Sequence, residues 1–528
     1  MNMGVSTISP PTPATIRRSA GVAGLLAAAL TLTVGHLVAA IIDPDASPFI
    51  ALGGAVVDAT PTWLKDFAAS TFGTADKAVL FGCMALVAAA LAYGIGLLAV
   101  RRPTAAALAV VVLAGICGVA AMGRAGTGML AWLPALVGAG AGVIALRAMV
   151  ETLNGPREDP GDDLDDASRD AVGTDRRSFM RSATVVGVVA AASALTGVIV
   201  TAARSTASRA RDLLQLPAPA MPAPPLPDGV QSATEGVEPF VTPNEDFYRI
   251  DTALIVPDVD PAAWTVRVHG LVENEVELNL DDLLARDLVE THVTLTCVSN
   301  PVGGDLVGNA LWLGLPIREV LAEAVPLPEA DMVLSRSIDG FTASTPIEVL
   351  TDDRDAIFAV GMNGEPLPTE HGFPVRMVVP GLYGYVSATK WVVELEVTRF
   401  ADATAYWTDR GWSERGPIKT ASRISVPRPS AHVSAGDVAV GGAAWAQHRG
   451  IAKVELQVDE GPWEEATLAD EASVDTWRQW SWSWTDAQPG QHTLRSRAYD
   501  PDGVQTSTVE GVIPDGATGW HTIYVYVD

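Results

Sequence analysis

Thr294-Leu295-Thr296-Cys297-Val298-Ser299-Asn300-Pro301 sets β-leaning residues directly before a thiol and turn formers directly after it. The pattern predicts that Cys297 sits where a strand ends, a place where a rigid scaffold can hold a ligand. Soft thiolate sulfur suits a soft or high-valent metal better than it suits magnesium or calcium. Taken by itself, a lone cysteine is more often an inert core residue. A zinc site would need several Cys or His close by, and His292 is the nearest. A Cys-His hydrolase using His371 and Asn363 stays formally open, although no local signature supports it.

Working outward, Cys297 is the one cysteine of the soluble part, because Cys83 and Cys117 lie inside apolar runs. No disulfide framework can form there, and an unburied, unligated thiol outside the cytoplasm would be prone to oxidation. The chain has 528 residues, enough for two or three units. Its first two hundred are dominated by Ala, Val, Leu and Gly, and the remainder is rich in Pro, Trp and Asp. A formal net charge of -27 speaks against nucleic acid as a partner, since phosphate binding needs a cationic face.

Five apolar stretches, at 20–42, 78–100, 104–122, 127–146 and 183–203, are long enough to cross a bilayer. Arg17, Arg18, Arg101, Arg102, Arg147, Arg157, Arg176, Arg177 and Arg181 fall in alternate connections, and between the spans Arg124 is the one arginine on the other side. The positive-inside tendency therefore puts the amino terminus in the cytoplasm and everything after the fifth span outside. Asp175-Arg176-Arg177-Ser178-Phe179-Met180 resembles an internal twin-arginine export signal, a route that carries folded proteins with cofactor already inserted. The plainer alternative is an arginine pair anchoring a helix end. His36, the sole histidine within the five runs, reads as a packing or hydrogen-bonding residue.

Pro217-Ala218-Pro219-Ala220-Met221-Pro222-Ala223-Pro224-Pro225-Leu226-Pro227 predicts a semi-extended tether. From about 242 to 424 strand-like and helix-like runs mix, so the class is α+β. From about 425 onward Val454-Glu455-Leu456-Gln457-Val458, Trp480-Ser481-Trp482-Ser483-Trp484 and Ile523-Tyr524-Val525-Tyr526-Val527 alternate with period two. Roughly a hundred such residues suggest an immunoglobulin-like β-sandwich, with the Trp stripe as core or interface.

Further ordered motifs surround the cysteine. Pro243-Asn244-Glu245-Asp246-Phe247-Tyr248-Arg249 lies upstream, and Gly303-Gly304-Asp305 and Asn309-Ala310-Leu311-Trp312-Leu313-Gly314-Leu315-Pro316 follow. Gly361-Met362-Asn363-Gly364-Glu365-Pro366, His371-Gly372-Phe373-Pro374-Val375-Arg376, Pro380-Gly381-Leu382-Tyr383-Gly384-Tyr385 and Lys390-Trp391 come next, and Pro417-Ile418-Lys419-Thr420-Ala421-Ser422-Arg423-Ile424 closes the series. Together they resemble the molybdopterin domain of the sulfite oxidase family and its entry into an immunoglobulin-like dimerisation domain.

The apolar runs and the Pro-rich segment divide the chain before about 242, and the resemblance, which spans 242 to the carboxyl terminus, implies the rest. Residues 1–150 would be a four-helix membrane domain, 151–182 a cytoplasmic linker with the twin-arginine motif, and 183–204 the fifth span. A Pro-rich linker at 205–241 would lead to the molybdopterin domain at 242–424 and the sandwich at 425–528. It also implies that Cys297 is the protein thiolate on molybdenum, with the cofactor held by Asn244, Phe247, Tyr248, His371, Arg376, Ser387, Thr389 and Lys390. Guanidinium and ammonium groups suit its phosphate end. Arg249 matches an arginine that forms an anion pocket in sulfite oxidases, whereas the methionine sulfoxide reductases differ there.

The chain departs from the sulfite oxidase pattern in having Val298-Ser299-Asn300 after the cysteine, and the further cations of a sulfite pocket are not evident. The loop ending at Lys390 is one residue longer than in some relatives. The implied reaction is oxygen transfer at sulfur, with sulfite dehydrogenation first and sulfoxide reduction second. A cofactor-free envelope scaffold is the rival of another class. Cys-x-x-Cys-His does not occur, and three scattered cysteines hold no iron-sulfur cluster, so electrons would pass to a separate partner such as a c-type cytochrome or a quinone-linked protein.

Overall fold

The computed structural model describes residues 13–61, 76–124, 127–154, 168–204 and 206–528, with single positions between 61 and 76. The chain forms two compact units, Met1–Ser205 and Thr206–Asp528.

In the first unit five helices are long and apolar enough to cross a membrane: Ala14–Ile42, Lys77–Arg101, Pro103–Met122, Leu133–Leu153 and Arg177–Thr201. Small residues let them touch backbone to backbone. A Cβ at Gly24 would stand 2.0 Å from the Ala92 carbonyl oxygen, and one at Gly138 would stand 2.3 Å from that of Thr31. His36 hydrogen-bonds through Nδ1 to Ser47 Oγ at 3.1 Å. The fifth apolar run belongs to one helix, Ser168–Arg204, which begins well before the span predicted at 183. No proline interrupts 168–183, so the helix runs on through the arginine pair. Residues 155–167 of the predicted linker lie outside the described residues.

The second unit is β-rich with short helices. The Pro-rich segment is extended, as its fixed φ values require, yet it is docked on the unit and does not hang as a free tether. Ala220 N–H donates to Leu288 O at 2.8 Å, Glu290 N–H donates to Met221 O at 2.9 Å, and Leu216 and Leu226 pack on the core.

One sheet orders Val289–Thr296, Val307–Pro316, Ile357–Met362 and Glu365–Pro366, with Arg376–Val378 also on Ile357–Met362. A second orders Val276–Asn279, Thr265–Gly270, Val392–Thr398, Met332–Ser337 and Thr342–Pro346.

Beyond residue 420 two further sheets face each other. Ala421–Val426, Gly436–Trp445, Arg478–Ala487 and Thr467–Leu468 make one. His432–Val433, His521–Val527, Gly490–Asp500, Lys453–Val458 and Trp463–Glu465 make the other. Val440, Leu456, Trp480, Trp484, Leu494 and Val525 fill the space between them, so the period-two Trp stripe points inward.

Candidate functional site

Strand Val289–Thr296 pairs antiparallel with Val307–Pro316, and Cys297 is the first residue of the loop joining them. The loop is tied shut at its base. Cys297 N–H donates to Leu306 O at 3.0 Å, and Asn300 Oδ1 accepts from Leu306 N–H at 3.0 Å. The thiol is buried, and burial pushes its pKa up against hydrogen bonds from the Ser299 backbone and hydroxyl. A cleft of about 360 Å³, lined by Thr296, Asn300, Gly303, Tyr383 and Trp445 among others, opens beside this loop.

Aromatic rings hold the neighbouring groups. Phe247 stacks on Tyr248 at 5.3 Å and meets the edges of Trp312 at 5.8 Å and His371 at 5.6 Å. Burial and the nearby Cys297 keep the Tyr248 hydroxyl un-ionised, with Arg376 pulling the other way. His371 Nε2 lies 3.1 Å from the Asn244 carbonyl oxygen, which can only accept, so this nitrogen carries the proton. Asn244 is fixed in turn, its Nδ2 donating to Glu365 Oε1 at 2.6 Å and its Oδ1 accepting from Asn363 at 2.8 Å.

Arg376 is buried over the Trp312 ring at 5.1 Å. Among the described residues its acceptors are two backbone carbonyls, His371 O at 3.2 Å and Met377 O at 3.3 Å, with no carboxylate paired to it. Burial pushes its pKa down to about 10. Lys390, pushed down to about 8 by burial, shares Asp251 with Arg249, each at 2.9 Å. Gly372, at φ 115°, brings the two cationic stems together, since a Cβ there would lie 2.9 Å from Arg376 Cβ and 3.2 Å from Lys390 Cβ. Arg376, without a carboxylate among the described residues, and Lys390, which shares its carboxylate with Arg249, make a site that favours an anion.

The predicted residues therefore separate into groups. Phe247, Tyr248, His371 and Arg376 form one group, joined to Cys297 through Tyr248, and Arg249 stands with Lys390 on Asp251. Ser387 and Thr389 are buried with their hydroxyls committed inside the fold, to Tyr383 O at 2.9 Å and Ser335 Oγ at 2.7 Å. Sequence reasoning missed Asp251, Trp312 and Ser299 as site residues. Asp251 and Ser299 each stand two positions from a residue it had singled out, which was the available signal.

Burial also holds His371 and His521 at about 4, below the ordinary 6.5, with Arg376 and Arg423 respectively adding to it. Between those values the unfolded chain takes up protons that the folded chain refuses. Stability is thus full above 6.5 and falls as pH drops to 4, by roughly 3 kcal/mol per histidine. Urea unfolding of the cofactor-free protein, followed by tryptophan fluorescence across this window, should show the falling midpoint. A flat profile would mean that neither imidazole is held neutral.

The profile of the oxidoreductase molybdopterin binding domain matches residues 253–407. Mitochondrial sulfite oxidase of Homo sapiens is 30% identical over 347 residues, covering 55% of this chain and 62% of that protein. The uncharacterized oxidoreductase YuiH of Bacillus subtilis (strain 168) is 30% identical over 180 residues, covering 33% of this chain and 87% of that protein. Among solved structures, the sulfane dehydrogenase SoxCD from Paracoccus pantotrophus is 24% identical at a TM-score of 0.47, covering 55% of this chain and 82% of that one.

The matched domain is that of an oxidoreductase that binds molybdopterin. The chain belongs to the sulfite oxidase family, and its cofactor is molybdenum held by molybdopterin. The residues present fit that group. Among the described residues no cluster of three or more His, Cys, Asp or Glu is arranged to hold a metal, and the buried Cys297 is a soft sulfur donor of the kind that molybdenum on a pterin would take. The carboxylate-free guanidinium of Arg376 suits a phosphate.

Proposed function

We propose that this chain is a membrane-anchored, extracytoplasmic oxidoreductase that transfers an oxygen atom at sulfur, with sulfite as its leading substrate. The observation that carries the reading is the buried thiol of Cys297 near Tyr248, itself near Arg376, a buried cation with no carboxylate partner among the described residues. When bound, the cofactor supplies two-electron oxygen-atom chemistry. The chain's own residues hold and orient it. Cys297 binds the metal, Asn244, Phe247, Tyr248 and His371 contact the pterin, and Arg376 and Lys390 take the phosphate end. Ser387 and Thr389 shape the loop that carries Lys390.

The five apolar helices support the anchor, and the alternation of basic connections supports an outward-facing second unit reached by twin-arginine export. The two facing sheets support an immunoglobulin-like domain, and a homodimer surface on it belongs to the same proposal. Electrons leave to a c-type cytochrome or a quinone-linked protein.

Arg249 is the candidate that attracts the oxyanion. Arg249→Ala should raise KM for sulfite about 10-fold with kcat little changed, the signature of lost substrate binding. An unchanged KM removes Arg249 from the substrate site. The pairing of Arg249 with Asp251 favours a second reading, reduction of an uncharged sulfoxide, because a neutralised guanidinium attracts an anion less.

Metal analysis of the purified full-length protein, followed by sulfite with an artificial acceptor against sulfoxides with an artificial donor, tests all of this. Equimolar molybdenum and sulfite turnover are expected. Turnover of sulfoxides alone selects the second reading, and a metal-free native protein leaves only an envelope scaffold.

A further inference from the structure

The strand that delivers Cys297 is gripped by residues beyond residue 420, in the connections that adjoin the facing sheets. Gln447, fully buried, donates from Nε2 to Thr294 O at 3.0 Å and to Thr296 Oγ1 at 2.9 Å. Thr294 Oγ1 accepts from Trp477 N–H at 2.7 Å and donates to Asn309 Oδ1 at 3.0 Å. Both threonines that run into the cysteine are thus anchored from outside their own sheet.

The far side of the loop is held the same way. Arg423 Nη1 donates to Gly304 O at 2.9 Å and also pairs with Glu238. The His521 ring lies against Gly303, where a Cβ would come within 2.1 Å of Nε2. That ring cannot turn freely, because its Nδ1 accepts from Ile424 N–H at 2.9 Å.

Gln447 Oε1 is buried and, among the described residues, has no hydrogen-bond partner. Leaving it so costs about 1–3 kcal/mol, which an apolar side chain of similar size would avoid. What the amide offers in return is its two donor bonds to the Cys297 strand.

We propose that Gln447 and His521 are positioning residues for Cys297, so that the carboxyl-terminal sheets complete the metal site in addition to any dimer surface they offer. This rests on the reading of Cys297 as the molybdenum ligand. Groups that hold a ligand's own strand and loop in this way act by fixing the direction of the ligand atom.

The test is Gln447→Met, close in size and without donors, in the full-length protein. Two readouts other than turnover are used: the thiolate-to-metal charge-transfer absorption of the loaded enzyme, and the alkylation rate of Cys297 in the cofactor-free protein. The expected results are a shifted absorption band, an alkylation rate changed by about 3-fold or more, and kcat lowered by about 10-fold with KM retained. Thermal unfolding should show the fold intact.

Should Gln447→Met fail to fold, Thr296→Val removes one of the same bonds from the other side and should shift the band and the alkylation rate alike. An intact fold with unchanged band and unchanged alkylation overturns the proposal, and so does lower stability with both readouts unchanged. A wild-type protein without molybdenum would instead sink the proposed function, and the alkylation comparison would then decide the positioning claim alone.

Discussion

Cys297→Ser is expected to lower turnover by about 100-fold or more while leaving the second unit folded. The substitution exchanges one buried atom for a slightly smaller one at the end of a strand whose backbone bonds are untouched. The stability cost of such a near-isosteric change is about 1 kcal/mol. The chemical change is far larger. A hydroxyl is a harder and much weaker acid than a thiol, so it does not replace thiolate sulfur on a soft or high-valent metal. Molybdenum per chain and sulfite turnover with an artificial acceptor, read beside the thermal midpoint, check both halves. Full turnover by the serine variant would show that the metal is held elsewhere.

Arg376→Met should have effects of opposite sign on the two forms of the protein. Holding the buried guanidinium at about 10 and not at its ordinary 12.5 costs the cofactor-free protein roughly 3 kcal/mol. Methionine keeps contact with Trp312 and carries no charge, and the two carbonyls it would release were weakly bonded at 3.2 and 3.3 Å. The cofactor-free variant should therefore be as stable as wild type, or more so by about 1–3 kcal/mol. Its cofactor content should fall by about 10-fold or more, because the phosphate end loses its forked donor. Urea midpoints of the cofactor-free proteins and molybdenum content after purification provide the comparison. Lower stability together with full cofactor content would assign Arg376 to the fold and remove it from the site.

Arg249 and Lys390 show where sequence reasoning reached its range. Both were recognisable as cations in ordered motifs, yet their common partner Asp251 lies 139 residues before Lys390, a relation that no local spacing encodes. Ser387 and Thr389 were recognisable as polar residues of the same loop. Which way their hydroxyls point depends on Tyr383 and Ser335, and so on how two strands and a turn pack. The docking of the Pro-rich segment was hidden for the same reason: its prolines dictate an extended backbone and say nothing about the sheet edge it meets.

The amino-acid order by itself determined the elements that rest on local rules. These are five apolar runs of membrane length, the strand and turn around Cys297, and the period-two stripes of the carboxyl-terminal sheets. Only the tertiary structure decided which charges meet and which stay unbalanced, that Arg376 lies beside Tyr248 with no carboxylate among the described residues, and that Gln447 reaches back 151 residues to Thr296. The reason is physical. Backbone propensity and hydrophobic periodicity act over a few residues, whereas burial, which sets the strength of every charge and hydrogen bond in the site, exists only after distant segments have excluded water together.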